Sequence, residues 1–200
     1  DDTIVLFSSD HGCHFKTRNG EYKRSCHESS IRVPTSFTGP GFRGGGQLQE
    51  LVSLIDLPPT LLDAAGLEVP DQMQGRSLMP LLRGGAPNWP DEVFVQISEA
   101  QVGRAVRTRR WKYGVDAPDL ARSDVSGADQ YEEQYLYDLE VDPYELTNLI
   151  GLESHREVAR VMRERLLRRI EEAGELPPRI KEAPQRPSGQ RRVDSAAVYL

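Results

Sequence analysis

The sequence predicts a mixed α and β fold in which short strands late in the chain are backed by a terminal helix. Three observations carry that expectation. A run rich in β-branched residues, "TIVLF", opens the chain at residues 3–7. "EVFVQIS" and "GRAVRTRRWKYGV" alternate apolar and polar residues at the period of a strand. From 154 to 173, Val158, Val161, Met162, Leu166, Ile170 and Ala173 recur at helical spacing, so one face is apolar.

Taken in order, residues 3–7 read as a buried strand with Asp10 just past its end. Polar loop follows to about Ile31. Residues 33–38 are a weaker strand, closed by the turn chemistry of "GPGFRGGG". In "ELVSLIDLPPTLLDAAGL" the apolar residues suit a helix, but Pro58 and Pro59 fit only its first turn, where no N–H is needed. The main helix is therefore expected over 57–65, capped by Asp56 and stopped by Gly66. "GRSLMPLLRGG" is a short helical turn or loop. Residues 92–98 form a strand, and 103–115 two short strands or a hairpin. Residues 116–134 are acidic and aperiodic, hence a long loop. "YLYDLEVDPYELTNL" gives a strand, a turn through Asp142 and Pro143, and a short helical turn. His155 is expected on the surface at the start of the last helix. Trp111 and Tyr113 are expected between the late sheet and that helix, with sugar stacking as a minor role for Trp111. After Gly174 the chain is Pro- and Arg-rich, as in a tail that is poorly ordered or draped over a surface. There is no internal repeat.

Length and composition bound the function. The 200 residues, 38% hydrophobic and 28% charged, suit a soluble domain with a real core. A net charge of -6 disfavours a general nucleic-acid binder. No apolar run reaches the length of a membrane span, and no basic-then-apolar signal opens the chain. The chain begins with Asp1 at the edge of a strand, as a piece of a longer polypeptide or a processed terminus would.

The informative stretch is "SSDHGCHFKTRNGEYKRSCHESSIRVP", residues 8–34. It holds His11, His14 and His27, three of the four histidines, and both cysteines, Cys13 and Cys26. Two cysteines do not make a disulfide framework; one bridge or two thiols both fit. Asp10 and His11 at a strand end can face a cation: carboxylate oxygen suits calcium, magnesium or manganese, and imidazole shifts preference toward manganese or zinc. The alternative is a solvated Asp beside a packed His. The pairs Cys13–His14 and Cys26–His27 lack zinc-ligand spacing, and neighbouring side chains on extended backbone point apart. Lys16, Arg18, Lys23, Arg24 and Arg32 make either a solvated basic loop or an anion site beside the metal. A dication with Lys and His is equipment for attack on a sulfate or phosphate ester.

Five stretches in order carry a family resemblance: "TIVLFSSDHG", "KRSCHESSIRVP", "LVSLIDLPPTLLDAAGL-EVP-DQMQGRSLMPLL", "RAVRTRRWKYGV" and "LYDLEVDPYELTNL". Over residues 1–173 the chain resembles the C-terminal part of a sulfatase, of the alkaline-phosphatase-like superfamily, with most likeness to sulfatases acting on polysaccharides. The resemblance implies an α/β fold: the end of the large sheet, plus a small C-terminal antiparallel sheet packed with a terminal helix. It divides the chain into residues 1–90 (catalytic α/β domain), 91–175 (α+β subdomain) and the tail 176–200.

The resemblance also implies roles. Asp10 and His11 match metal ligands, where other members often have Asp-Asn; the ion would be a divalent cation, calcium foremost, with manganese or magnesium as alternatives. Lys23, eleven positions before Pro34, matches the substrate lysine that contacts the sulfate or its bridging oxygen. His14 and His27 are candidates for leaving-group protonation or substrate contact. Arg104 is a substrate-side candidate, as are Glu99 and Arg107, against a plainer reading as surface ion pairs. The family's nucleophile is a formylglycine made in a "C/S-x-P-x-R" motif, and that motif is missing here, as are the paired acidic ligands of the N-terminal strand. Asp1 and Asp2 do not replace them, lying at the opposite end of the strand that leads to Asp10. The expectation is a metal-dependent sulfatase whose N-terminal half lies outside this chain, leaving the fragment inactive alone. Its substrate would be a sulfated small molecule or polysaccharide, and the missing half its partner. Alternatives are a phosphodiesterase or phosphonate monoester hydrolase of the same superfamily, or a non-catalytic module binding anions or carbohydrates. Many family members are exported or lysosomal, which leans the location toward periplasmic or extracellular.

Overall fold

A computed structural model describes residues 2–99, 101–118, 120 and 125–200. In chain order the elements are β1 (Val5–Phe7), α1 (Glu28–Ile31), β2 (Ser36–Thr38), α2 (Leu57–Ala64), α3 (Met79–Leu82), β3 (Glu92–Ser98), β4 (Val102–Thr108), β5 (Trp111–Asp116), β6 (Gln130–Asp138), α4 (Arg156–Glu172) and β7 (Arg179–Lys181). They fall into two compact units, Asp1–Gly12 with Arg32–Val93, and Cys13–Ile31 with Phe94–Leu200. The expected first domain of residues 1–90 is thus interrupted: its loop 13–31 belongs to the second unit.

In the first unit β1 pairs antiparallel with β2 in a two-stranded sheet. The expected burial of β1 does not hold. Val5 is 54% and Phe7 64% exposed, because among the described residues β1 has only β2 beside it. Asp56 stands just before α2 but makes no side-chain capping hydrogen bond to it. Its Oδ2 accepts from the Ser53 backbone at 2.8 Å, and its Oδ1 accepts from the Arg76 backbone at 2.8 Å. α2 then starts with Pro58 and Pro59 in its first turn and ends at Gly66, whose φ of +73° suits a helix stop.

The second unit is built on a five-stranded sheet of order β3-β4-β5-β6-β7. β4, β5 and β6 are antiparallel, whereas β7 joins β6 in parallel, so the expected antiparallel sheet is mixed. Alternation sorts its side chains. Val102, Val106, Trp111, Tyr113, Val115 and Leu136 pack with Val158, Met162, Leu166 and Ile170 of α4 in one apolar core. At roughly 2 kcal/mol for each fully buried large apolar side chain, this face supplies much of the unit's stability. Trp111 is fully buried with its indole N–H donated to the Ala197 carbonyl at 2.7 Å, which rules out sugar stacking. The opposite face presents Arg107, Lys112, Tyr135 and Tyr137, and the loop 13–31 covers it through the contacts given below.

Several local expectations change. The loop expected over 116–134 gives way to strand from Gln130; Asp119 and residues 121–124 of it lie outside the described residues, as do Asp1 and Ala100. The helical turn after Asp142 is instead a turn tied by the Asp142 carboxylate, which accepts from the Leu146 and Thr147 amides at 3.0 and 2.7 Å. His155 is buried, edge-on to Trp111 at 6.1 Å. The tail is ordered rather than loose: β7 extends the sheet, the Arg186 guanidinium donates to the Ile150 carbonyl at 2.8 Å, and Val198 joins the core.

Candidate functional site

Asp10 and His11 lie in the first unit, just past β1. The His11 amide donates to Asp10 Oδ1 at 3.0 Å, and His11 Nε2 lies 3.4 Å from Asp10 Oδ2. His11 Nδ1 is 2.8 Å from the Gly12 carbonyl. A carbonyl only accepts, so Nδ1 carries a proton, and Nε2 is the ring nitrogen that the neutral form would offer to a cation. A carboxylate and a ring nitrogen set together fit part of a divalent-cation shell. Among the described residues no group of three or more His, Cys, Asp or Glu side chains could hold a metal. The pair therefore fits as a partial shell only.

Lys23, His14 and His27 lie in the second unit, on the loop 13–31. Local bonds fold this loop back on itself. The His14 amide donates to the Tyr22 carbonyl at 2.8 Å, Thr17 Oγ1 to the His14 carbonyl at 2.6 Å, and Asn19 Nδ2 to the Arg24 carbonyl at 2.7 Å. Phe15 and Lys16 both have positive φ, 52° and 62°, which lets the chain reverse there. Lys23 is half-buried, its Nζ 5.6 Å from the centroid of the Tyr22 ring. Arg24 pairs with Glu21 and with Glu99, so Glu99 is an anchor for the loop.

His14 is 2% exposed, and among the described residues neither ring nitrogen has a hydrogen-bond partner. His27 is buried, its ring tilted against Tyr135 at 4.8 Å, with Nε2 3.3 Å from the Tyr137 hydroxyl. Burial, reinforced by the cations Arg18 and Lys112 and by His14, lowers its pKa to about 3. A ring so held is neutral at physiological pH. It can share a hydrogen bond, but it does not carry the extra proton that leaving-group protonation requires.

Cys26 is buried and its thiol is pushed up to about 11 by that burial, against the opposing effect of a hydrogen bond to Tyr135. Both cysteines are free thiols here, and Cys26 is protonated and unsuited to nucleophilic attack. Arg104 is only 1% exposed, on the sheet face that packs α4. Its guanidinium donates to both oxygens of Glu175 at 3.1 and 2.8 Å, and to the Ser126 and Gly103 carbonyls at 2.6 and 2.9 Å. That is a structural ion pair on the face opposite the loop 13–31.

The residues that hold the loop were not legible as a group in the sequence. Lys112 Nζ, fully buried, lies 2.7 Å from Glu28 Oε1 and 2.6 Å from Glu145 Oε1. Arg107 Nε adds a contact of 3.4 Å to Glu28. Burial acts to raise the Glu28 pKa, but Lys112 and Arg107 outweigh it and hold the carboxyl below its ordinary value. In "WKYGV" Lys112 alternates to the face opposite Trp111, Tyr113 and Val115, a position that reads as solvent-facing, so no local signal marked its burial.

Residues 20–172 match the family described as N-sulphoglucosamine sulphohydrolase, C-terminal. The chain belongs to the sulfatase family. The part it represents is C-terminal, and its mixed sheet, small two-stranded sheet and late helix are the α/β sulfatase fold. Human arylsulfatase K is 37% identical over 157 residues, covering 74% of this chain and 27% of the relative. An arylsulfatase of Clostridium perfringens (strain 13 / Type A) is 34% identical over 174 residues, covering 84% of this chain and 34% of that protein. A solved 2-O GAG sulfatase superposes with a TM-score of 0.71 at 28% identity, over 86% of this chain and 37% of the other. The chain therefore spans roughly a quarter to a third of the curated sulfatases it matches.

Proposed function

We propose that this chain is the C-terminal part of a metal-dependent sulfatase that hydrolyses sulfate esters on carbohydrates. The family match across residues 20–172 carries the reading, because it includes Lys23 and four of the five strands, β3 to β6, of the sheet against which the Lys23 loop is packed. The 2-O GAG sulfatase among its structural relatives supports a sulfated saccharide as the substrate class.

In this reading the Lys23 ammonium binds the sulfate group and offsets charge that develops as the S–O bond to the alcohol breaks. Asp10 and His11 supply one carboxylate and one imidazole toward a divalent cation, calcium foremost, with magnesium or manganese as alternatives. Such an ion, when bound, adds Lewis-acid stabilisation of the sulfuryl oxygens. His27, neutral at about pH 7 because its pKa is lowered to about 3, serves as a hydrogen-bonding contact. His14 remains the candidate for proton transfer to the departing alcohol. Arg104 acts in the fold through Glu175. The nucleophile, a formylglycine, and the remaining metal ligands come from the N-terminal part of the same enzyme.

The test is turnover by the full-length protein. Aryl sulfate should be hydrolysed in preference to aryl phosphonate and phosphate diester, and Lys23→Ala should lower kcat/KM on the order of 100-fold. Preference for the phosphonate or diester would transfer the protein to the phosphodiesterase reading. Sulfated-oligosaccharide binding without turnover of any ester would make it a binding module.

A further inference from the structure

Glu145 occupies the point at which the loop 13–31 is gripped from several directions. Its side chain is buried, at 2% exposure. Oε1 accepts from Lys112 Nζ at 2.6 Å, and Oε2 accepts from the Glu28 backbone amide at 2.9 Å. Its own carbonyl accepts from one arm of Arg18 at 2.8 Å, while the Tyr144 carbonyl accepts from the other arm at 2.6 Å. The residue has a φ of +54°, a left-handed conformation that costs a glutamate free energy. The Glu145 amide, bonded to the Asp142 carbonyl at 3.0 Å, holds that conformation in place.

Arg18 and Glu28 stand five residues before and five residues after Lys23. One residue, far away in the sequence, therefore holds both ends of the segment that carries Lys23. A buried cluster of this kind is a poor choice for stability alone. Desolvating two carboxylates and an ammonium offsets most of their attraction, and apolar replacements often do as well. What such a cluster supplies better than apolar packing is a single defined geometry.

We propose that Glu145 is a positioning residue for Lys23: it pins Arg18 and Glu28 to the late sheet, so that the Lys23 ammonium is presented to the sulfate group in one place. This rests on the reading that Lys23 contacts the sulfate group. Displacement of a charged group by about 1 Å is enough to cost on the order of 100-fold in rate.

The experiment compares Glu145→Gln, Lys23→Ala and the double variant in the full-length protein, by kcat and KM for an aryl sulfate. Glu145→Gln should lower kcat/KM roughly 30- to 100-fold, and in the Lys23→Ala background it should cost less than about 3-fold. Losses that multiply in the double variant would overturn the proposal, since a merely structural residue acts whether or not Lys23 is present. Hydrogen exchange supplies a readout independent of activity. Amides of residues 14–31 should exchange faster in Glu145→Gln while β5 and α4 keep their protection; an unchanged loop also overturns the proposal. Glu145→Gln loosens the Glu28 end, and Arg18→Met, which removes the bonds to the Glu145 and Tyr144 carbonyls at the other end, replaces it should that variant fail to fold. Full activity in Lys23→Ala would instead overturn the functional reading, and the exchange data would still decide whether Glu145 pins the loop.

Discussion

At the scale of single residues, Lys23 and His27 are four positions apart but live in different environments. Lys23 is half-buried, whereas His27 sits under Tyr135 and Tyr137 beside two cations. That difference has a measurable consequence. In the unfolded chain His27 titrates near 6.5, and in the folded chain near 3. Between those values the unfolded state binds more protons, so stability falls as pH drops below 6.5. Over the interval from about pH 7 to about pH 4.5, the wild-type chain should lose on the order of 2 kcal/mol more than His27→Gln. Urea unfolding at the two pH values measures this, and equal losses would count against a depressed His27. Glu28, held below 4.5 by Lys112 and Arg107, adds a loss of the same sign at still lower pH.

At the scale of elements, the second unit depends on one sheet with two different faces. Gly114 faces Tyr135 across the β5–β6 pair, next to a register shift at Gly114/Val115. A Cβ at Gly114 would lie 2.2 Å from the Tyr135 ring. Tyr135 cannot swing away cheaply, because His27 and Tyr137 pack on it at 4.8 and 5.4 Å. Gly114→Ala should therefore destabilise the chain by about 1–3 kcal/mol and loosen the loop 13–31 before it loosens α4. On the other face, Leu166→Ala should cost about 2–5 kcal/mol by opening a cavity between α4 and the sheet, without the loop-specific effect. Thermal melts with residue-resolved exchange distinguish the two. Strand and helix identities on both faces were readable from alternation and from the 3.6-residue period, since these patterns report which way neighbouring side chains point. Strand-pairing partners were not: β7, from a Pro- and Arg-rich tail, owes its conformation to the exposed edge of β6.

At the scale of the whole molecule, the chain holds Lys23, Asp10 and His11 but no "C/S-x-P-x-R" motif. The 200-residue chain alone should show no measurable turnover of an aryl sulfate. Turnover that is lost in Lys23→Ala would refute this. The full-length protein, by contrast, should lose activity on dialysis against a chelator and regain it with calcium; unchanged activity after metal removal would sink the metal role of Asp10 and His11.

The sequence by itself determined the family, most of the elements and the loop on which the candidate residues stand. Those depend on local features: a period of two or 3.6, prolines confined to a first turn, and a histidine and aspartate side by side after a strand. Only the tertiary structure decided that residues 13–31 leave the first unit for the second, that Arg104 faces α4, and that Lys112 is balanced by Glu28 and Glu145. The reason is distance along the chain. Glu28 and Glu145 are 117 positions apart. A buried charge is tolerable only beside partners that folding brings to it, and no local pattern names those partners in advance.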